Sequence, residues 1–329
     1  MPSITDPPPK FVRDDLTRLK AQLGDVPSKR DDNLLIATWN IRAFGDLTEK
    51  WITGANDSPK RNLHAVRCIA EILSRFDVIA LQEVRGNIKA FRHCLKQLGP
   101  TWGFLMTDVT RGDQGNDERM AFLYDSARVK PSGLAAELVV PEVVEKKAVS
   151  GVNVFQHQFA RTPYACSFVR KSSTFILITL HVYYGAKDTP EDRIPELEAI
   201  AEWLADWARK LKGYGKEGHG HNLLALGDFN IDRVGDELYD AFTSTGLFTP
   251  EDLDLAPRTI TSNPLQPEKN HHYDQIAWFN AASGVPHLSL EYRRAGFVNF
   301  TNAVMQQMDN TALSWRMSDH FPLWVEFKV

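Results

Sequence analysis

Leu223-Leu224-Ala225-Leu226-Gly227-Asp228-Phe229-Asn230 is an apolar run that breaks at a glycine and then offers two hard oxygen side chains two positions apart. The run reads as a buried strand. Alternation along an extended backbone puts Asp228 and Asn230 on one face and Phe229 on the other. A carboxylate beside a carboxamide suits a divalent cation, a phosphate-bound water or both. Four further apolar runs meet polar groups in the same way: Leu34 to Trp39 leads into Asn40, Val78 to Leu81 into Glu83, Phe175 to Leu180 into His181, and Asp319-His320 precedes Leu323 to Phe327. Five strand ends gathered on one rim would make a metal-dependent phosphoester site.

Between these strands the periodicity changes to that of helices. Ser58-Pro59 reads as an N-cap with proline at the first helical position, followed by Leu63, Val66, Ile69, Ala70 and Leu73 at helical spacing. A short helix carrying Ile88, Phe91, Leu95 and Leu98 ends at Gly99-Pro100. The longest apolar face, Ile194, Leu197, Ala201, Leu204, Ala208 and Leu211, opens at Thr189-Pro190-Glu191 and closes at Gly213. Ala165 to Val169 and Phe175 to Leu180 read as a hairpin with a four-residue turn, Arg170 to Ser173. Met120 to Tyr124 and Gln275 to Phe279 are further strands, and residues 131–160 are hard to read. Residues 1–33, proline-rich and then charged, carry only the weak stripe Phe11, Leu16, Leu19 and Leu23 and are expected to be a partly mobile extension. Residues 34–329 show no internal period and no linker, so one catalytic domain is expected.

Sorted by chemistry, Asn40, Glu83, Asp228, Asn230 and Asp319 are all oxygen donors, which favours magnesium, manganese or calcium over zinc. His181 and His320 then read as proton handlers or phosphate clamps. Hydrolysis of a phosphodiester removes a proton from water on one side of phosphorus and neutralises an alkoxide on the other, so two such groups are needed. Each imidazole needs a partner to fix its tautomer, and Glu118 and Asp274 are the carboxylates best placed to serve. His271 and His272 adjoin Asp274 in a polar loop and read as solvent-facing.

Seven segments, in order, resemble the motifs of the endonuclease/exonuclease/phosphatase superfamily, most closely its deoxyribonuclease I branch. They are Thr38-Trp39-Asn40-Ile41-Arg42, Leu81-Gln82-Glu83-Val84-Arg85, Glu118 to Tyr124, Leu180-His181, Gly227-Asp228-Phe229-Asn230, Tyr273-Asp274-Gln275-Ile276 and Ser318-Asp319-His320-Phe321-Pro322. The resemblance implies an α/β (α+β) fold, a four-layer αββα sandwich of two packed mixed sheets flanked by helices, with the site at the sheet rim. It implies Glu83 as principal metal ligand, assisted by Asn40 and Asp319. His320 held by Asp274 would activate water, and His181 held by Glu118 would assist the leaving oxygen. Asp228 and Asn230 would orient the nucleophile, bind phosphate or hold a second cation. Arg42 and Arg161 match positions that approach phosphates, and Arg85 matches the arginine that enters the DNA minor groove. The expected activity is magnesium-dependent cutting of DNA with little sequence preference, with manganese or calcium as other candidate cations.

Composition bounds this reading. The 329 residues are 43% hydrophobic and 24% charged, with a formal charge of -4, which does not suit a protein that coats nucleic acid through bulk charge. The first ten residues lack the apolar core of a secretory signal, no apolar run is long enough to cross a bilayer, and Cys68, Cys94 and Cys166 have no close pair. A cytoplasmic monomer without membrane insertion is expected, unlike the secreted deoxyribonuclease I enzymes with their signal peptide and disulfides. Competing readings keep the chemistry on a lipid, phosphoinositide or nucleotide diester, or drop it for an inert relative that binds nucleic acid or protein. The sequence retains both histidines and every expected carboxylate, which argues against the inert one.

Overall fold

The computed structural model describes residues 1–110, 115–138, 161–185, 193–211, 222–280 and 283–329. The expected helix opening at Thr189-Pro190-Glu191 and its end at Gly213 lie outside these residues.

One mixed sheet contains β1 (Asn33–Phe44), β2 (Val78–Arg85), β3 (Trp102–Met106), β4 (Glu118–Asp125), β11 (Glu291–Phe297) and β12 (Leu323–Lys328), in the order β11-β12-β1-β2-β4-β3. The other contains β5 (Lys130–Glu137), β6 (Tyr164–Arg170), β7 (Ser173–His181), β8 (Asn222–Asp228), β9 (Leu247–Phe248) and β10 (Asp274–Phe279), in the order β5-β6-β7-β8-β10-β9. Both are built around a central parallel pair, β1 with β2 and β7 with β8, flanked on each side by antiparallel neighbours. The two sheets therefore share one pairing pattern, a repeat of topology with no counterpart in the residue pattern.

The strands read as unbroken apolar runs because both faces are covered. In β1, Leu34 and Ile36 join the core between the sheets, packed with Val78, Phe122, Leu177 and Leu226. Leu35, Ala37 and Trp39 point the other way, into the core beneath α2 (Leu63–Leu73) and α3 (Lys89–Leu98). The second sheet's outer face packs on α4 (Ile194–Leu211) and α5 (Glu237–Thr243) through Leu197, Ala201, Leu204 and Phe242. The result is the expected four-layer arrangement.

Several local details differ from the sequence reading. The α2 helix starts at Leu63, because the Asn62 side chain accepts the Ala65 N–H at 3.0 Å and so caps it there instead of at Ser58. The β6–β7 turn is shorter than four residues: Arg170 pairs with Ser173, and Lys171 takes φ 53° to close it. Residues 1–33 carry α1 (Lys10–Gln22), which lies against α2; Ile4, Val12, Leu19 and Leu23 are fully buried. Its inward stripe passes through Val12 and Asp15 in place of Phe11. Asp15 accepts the Met305 N–H at 2.7 Å and stands 3.0 Å from His64 Nε2, so a buried acid anchors the helix. Cys68, Cys94 and Cys166 are buried and free of disulfides.

Candidate active site

The inner-face parity of the strands builds the site. Along β1 that face reads Leu34, Ile36, Thr38, Asn40; along β7 Phe175, Leu177, Thr179, His181; along β8 Leu224, Leu226, Asp228. The antiparallel strands begin at the same end, with Glu118 before Met120 and Phe122, and Asp274 before Ile276 and Trp278. Apolar positions thus give way to polar ones at one rim. A first polar layer closes the core: buried Gln82 donates through Nε2 to Thr38 Oγ1 (3.1 Å) and across the sheets to Thr179 Oγ1 (2.8 Å).

Asp228 lies at the centre of the next layer. Its Oδ1 accepts the Asn230 N–H at 3.0 Å and its Oδ2 accepts Asn40 Nδ2 at 2.9 Å. The same Oδ2 stands 3.7 Å from His181 Nε2 and 4.0 Å from His320 Nε2. Behind each ring is a buried carboxylate: Asp274 Oδ2 is 2.6 Å from His320 Nδ1, and Glu118 Oε2 is 3.1 Å from His181 Nδ1. With Nδ1 turned to its carboxylate, each imidazole presents Nε2 to the space around Asp228. Burial lowers the proton affinity of His320, but Asp274, with Asp228 and Asp319 behind it, outweighs this and holds the ring above its ordinary value. Burial also pushes the Asp274 carboxyl up. Burial acts on Glu118 in the same sense, yet His181, Arg161 and Arg85 hold it below the usual carboxylate range.

Backbone geometry sets the remaining groups. Gly227 takes φ 143°, and a Cβ there would fall 2.1 Å from the Leu180 carbonyl oxygen, so only glycine lets β8 approach β7 at this point. Asn230 and Glu83 adopt positive φ, 52° and 58°. Glu83 occupies a bulge: Leu81 pairs with Ala121 and Val84 with Arg119, so β2 carries one more residue than β4 over this interval. The bulge breaks the alternation and lets Glu83 Oε2 accept the Ala43 N–H at 2.8 Å. Asn230 Nδ2 donates to the Val182 carbonyl at 2.7 Å.

Two groups with no role in the sequence reading hold this side of the rim together. Ser318 Oγ donates to the Asn40 carbonyl at 2.6 Å and accepts the N–H groups of Arg42 and His320, both at 3.1 Å. Buried Arg61 donates to the carbonyls of Ala43 (2.7 Å), Arg42 (2.6 Å), Arg316 (2.9 Å) and Met317 (3.1 Å). Burial brings its guanidinium down to about 10, with Glu83 and Asp319 pulling the other way. Its partners are main-chain atoms, which leave no residue-type signal. On the His181 side, Glu196 accepts the Tyr183 N–H, and burial pushes its carboxyl up to about 7.

The three arginines expected at the substrate, Arg42 and Arg161 at phosphates and Arg85 in the minor groove, occupy different settings. Arg42 Nη1 donates to Ser314 Oγ at 2.9 Å and is 3.4 Å from Asp319. Arg161 Nε is 2.8 Å from Glu118, behind His181. Arg85 is drawn inward, bonded to the Asn116 carbonyl and 3.6 Å and 3.4 Å from Glu83 and Glu118. Of the two loop histidines read as solvent-facing, His272 is in fact 4% exposed, with Nε2 3.1 Å from Arg258. Burial and that guanidinium push it down to about 2. His271 remains half exposed, stacked on Tyr273 at 4.4 Å, and Tyr273 lies 5.9 Å from His320.

Two donor sets are available to a cation. Asp228, Asp274 and His320 bring one ligand atom each within 4.8 Å of one another, but Asp274 and His320 are already bonded together. On the other side, Asn40 Oδ1 is buried and finds no hydrogen-bond partner among the described residues, although Nδ2 of the same amide is committed to Asp228. A buried hard oxygen left open beside Asp228, on the same side of the rim as Glu83 and Asp319, fits an oxygen-seeking divalent ion.

The family model described as Endonuclease/Exonuclease/phosphatase family matches residues 37–320. A deoxyribonuclease of Thioalkalivibrio sp. (strain K90mix) is 29% identical over 214 residues, 63% of this chain and 48% of that protein. Deoxyribonuclease gamma of Rattus norvegicus is 23% identical over 212 residues, 60% of this chain and 56% of its own length. The match thus spans about half the length of these curated relatives. Among solved structures, the catalytic domain of human Nocturnin superposes with a TM-score of 0.59 at 17% identity, covering 92% of this chain and 96% of that one.

Proposed function

The chain belongs to the endonuclease/exonuclease/phosphatase family, and from that premise we propose that it is a divalent-metal-dependent phosphodiesterase that cleaves DNA with little sequence preference. The observation that carries the reading is the placement of one carboxylate, Asp228, between the Nε2 atoms of two imidazoles, each backed by its own buried acid. A water beside Asp228 loses its proton to His320 Nε2, and Asp274 stabilises the imidazolium that forms. His181, held by Glu118, delivers a proton to the departing oxygen. Asp228 and Asn230 orient the nucleophile and phosphate. Arg42 sits at the mouth, where it meets a phosphate oxygen.

Asn40, Glu83 and Asp319 are the residues that would hold the cation, with magnesium the favoured ion and manganese or calcium usable. When bound, the ion supplies positive charge that polarises the phosphate and lowers the proton affinity of the neighbouring imidazole. The deoxyribonuclease relatives support DNA as the substrate.

The test is incubation of purified protein with supercoiled plasmid and magnesium, beside an EDTA control and His320→Ala. Nicking that needs the ion and falls about 10²- to 10⁴-fold in the variant is expected. Nicking that survives either change refutes the mechanism. Intact plasmid with turnover of bis(p-nitrophenyl) phosphate moves the assignment to another diester on the same site.

A further inference from the structure

We propose that the cleft beside Trp315 is a subsite for an unpaired nucleobase, so that the rim takes single-stranded or locally melted nucleic acid. The inference rests on the phosphodiesterase reading for the position of the scissile phosphate. Trp315 follows α6 (Asn310–Ser314) and is 46% exposed, the only tryptophan among the exposed large apolar side chains of the described residues. The Arg42 guanidinium covers one indole face, 3.9 Å from the ring centroid. That guanidinium also donates to Ser314 and stands 3.4 Å from Asp319, so a cation pins the indole to the rim that carries Asn40 and Asp319.

Beside the ring opens a cleft of about 420 Å³ lined by Trp315, Arg316, Lys60, Thr53 and Thr311 among others. This lies within the range of about 300–1,000 Å³ typical of small-molecule sites. Its walls combine an aromatic ring with hydroxyls and two cations, of which Lys60 donates to the Gly54 and Ala55 carbonyls at 3.1 and 2.7 Å; this is the chemistry of a planar polar ring carrying a phosphate and not of an acyl chain. The acidic member of the lining, Asp309, is engaged in capping α6 through the Ala312 N–H at 2.7 Å. Arg316 is 9% exposed and bonded to the Ala312 carbonyl and Thr53 Oγ1, yet its Nε finds no partner among the described residues.

A paired base has both faces covered by its neighbours, whereas an unpaired one can lie on an indole. Arg85, the arginine expected to read a duplex groove, is instead turned toward Glu83 and Glu118.

The experiment measures binding in EDTA, where nothing turns over. Fluorescein-labelled oligothymidylate, an abasic strand of equal length and a duplex are titrated with wild type, Trp315→Ala and Trp315→Phe. Wild type prefers the base-bearing strand over the abasic one by about 5- to 150-fold, the worth of one stacked base, and prefers it over the duplex. Trp315→Ala loses that preference, and Trp315→Phe regains most of it. A preference that survives Trp315→Ala, or tighter binding of the duplex, overturns the proposal, as does a wild type that binds no strand. Plasmid nicking without Trp315-dependent base preference would sink the subsite and leave the catalytic reading; the preference without nicking would do the reverse.

Discussion

Asp228→Asn separates the two tasks assigned to this rim. Asp228 is 2% exposed, and its two oxygens accept one hydrogen each, from the Asn230 backbone and from Asn40 Nδ2. An asparagine there has a single acceptor oxygen for these two donors. If that oxygen serves Asn40, the new amide nitrogen meets the Asn230 N–H, and a buried donor is left unsatisfied at a cost of about 1–3 kcal/mol. If it serves Asn230, the Asn40 amide turns over and keeps its bond, but now points NH₂ where its oxygen had been open. The second arrangement is cheaper, so the variant folds and loses a metal donor. Loss of an orienting partner lowers metal affinity by about 10- to 100-fold. At a manganese concentration about 100 times the wild-type Kd, the ion stabilises wild type by about 2.7 kcal/mol, and the variant by only about 0.4 to 1.4 kcal/mol. Thermal unfolding with and without manganese reads this directly, at about 2 °C per kcal/mol for a chain this long. The measurement needs no substrate. A variant that keeps the full manganese shift while losing turnover would refute the claim that Asp228 sets the Asn40 amide, and would leave Asp228 with a purely chemical role.

Gly227→Ala should fail to fold, or lose more than about 4 kcal/mol in urea denaturation, because φ 143° and the Leu180 oxygen at 2.1 Å both exclude a Cβ; a wild-type midpoint would refute the close approach of β7 and β8. Asp15 tests the N-terminal helix. Burial raises its pKa, but His64, the Met305 N–H and Arg18 hold the carboxyl below its ordinary value. A depressed carboxylate stabilises the fold fully above its unfolded pKa of about 3.9, and this is lost as pH falls through the lower folded value. Asp15→Asn should therefore lower Tm at pH 7 and narrow the drop in Tm between pH 7 and pH 3; equal drops in the two proteins would show that α1 docks without this charge.

The strand ends were legible because parity survives burial: once an inner-face residue is fixed, Asn40, His181, Asp228, Asp274 and Glu118 follow by counting in twos. Glu83 shows where counting fails. Its side chain is aimed by a bulge that a run of apolar letters does not announce. Edge strands escaped for a related reason. In β5 most side chains are exposed and in β11 none is fully buried, so no apolar alternation marks them. Arg61 and Ser318 were invisible in another way, since their work is done on carbonyls and N–H groups of distant segments. His272 looked exposed because its loop is polar, but its N–H is tied to the Ile231 and Asp232 carbonyls and its buried ring meets Arg258.

The site's cross-links share a feature that follows from the two-sheet plan. Gln82 of the first sheet reaches Thr179 of the second. Asn40 of the first sheet bonds Asp228 of the second. Glu118 of the first holds His181 of the second, and Asp274 of the second holds His320, which leads into β12 of the first. Each imidazole and its acid therefore come from opposite layers. Neither sheet alone contains an imidazole–carboxylate pair, and the distance between these groups follows the spacing set by the apolar packing below them, to which Ile36, Leu177 and Leu226 contribute. Interiors packed at crystal-like density hold such spacings tightly. For the mechanism proposed above, the apolar seam thus does for the histidines what a rigid scaffold must do for any acid–base couple: it fixes their separation before substrate arrives, so that little ordering would remain to be done during the reaction.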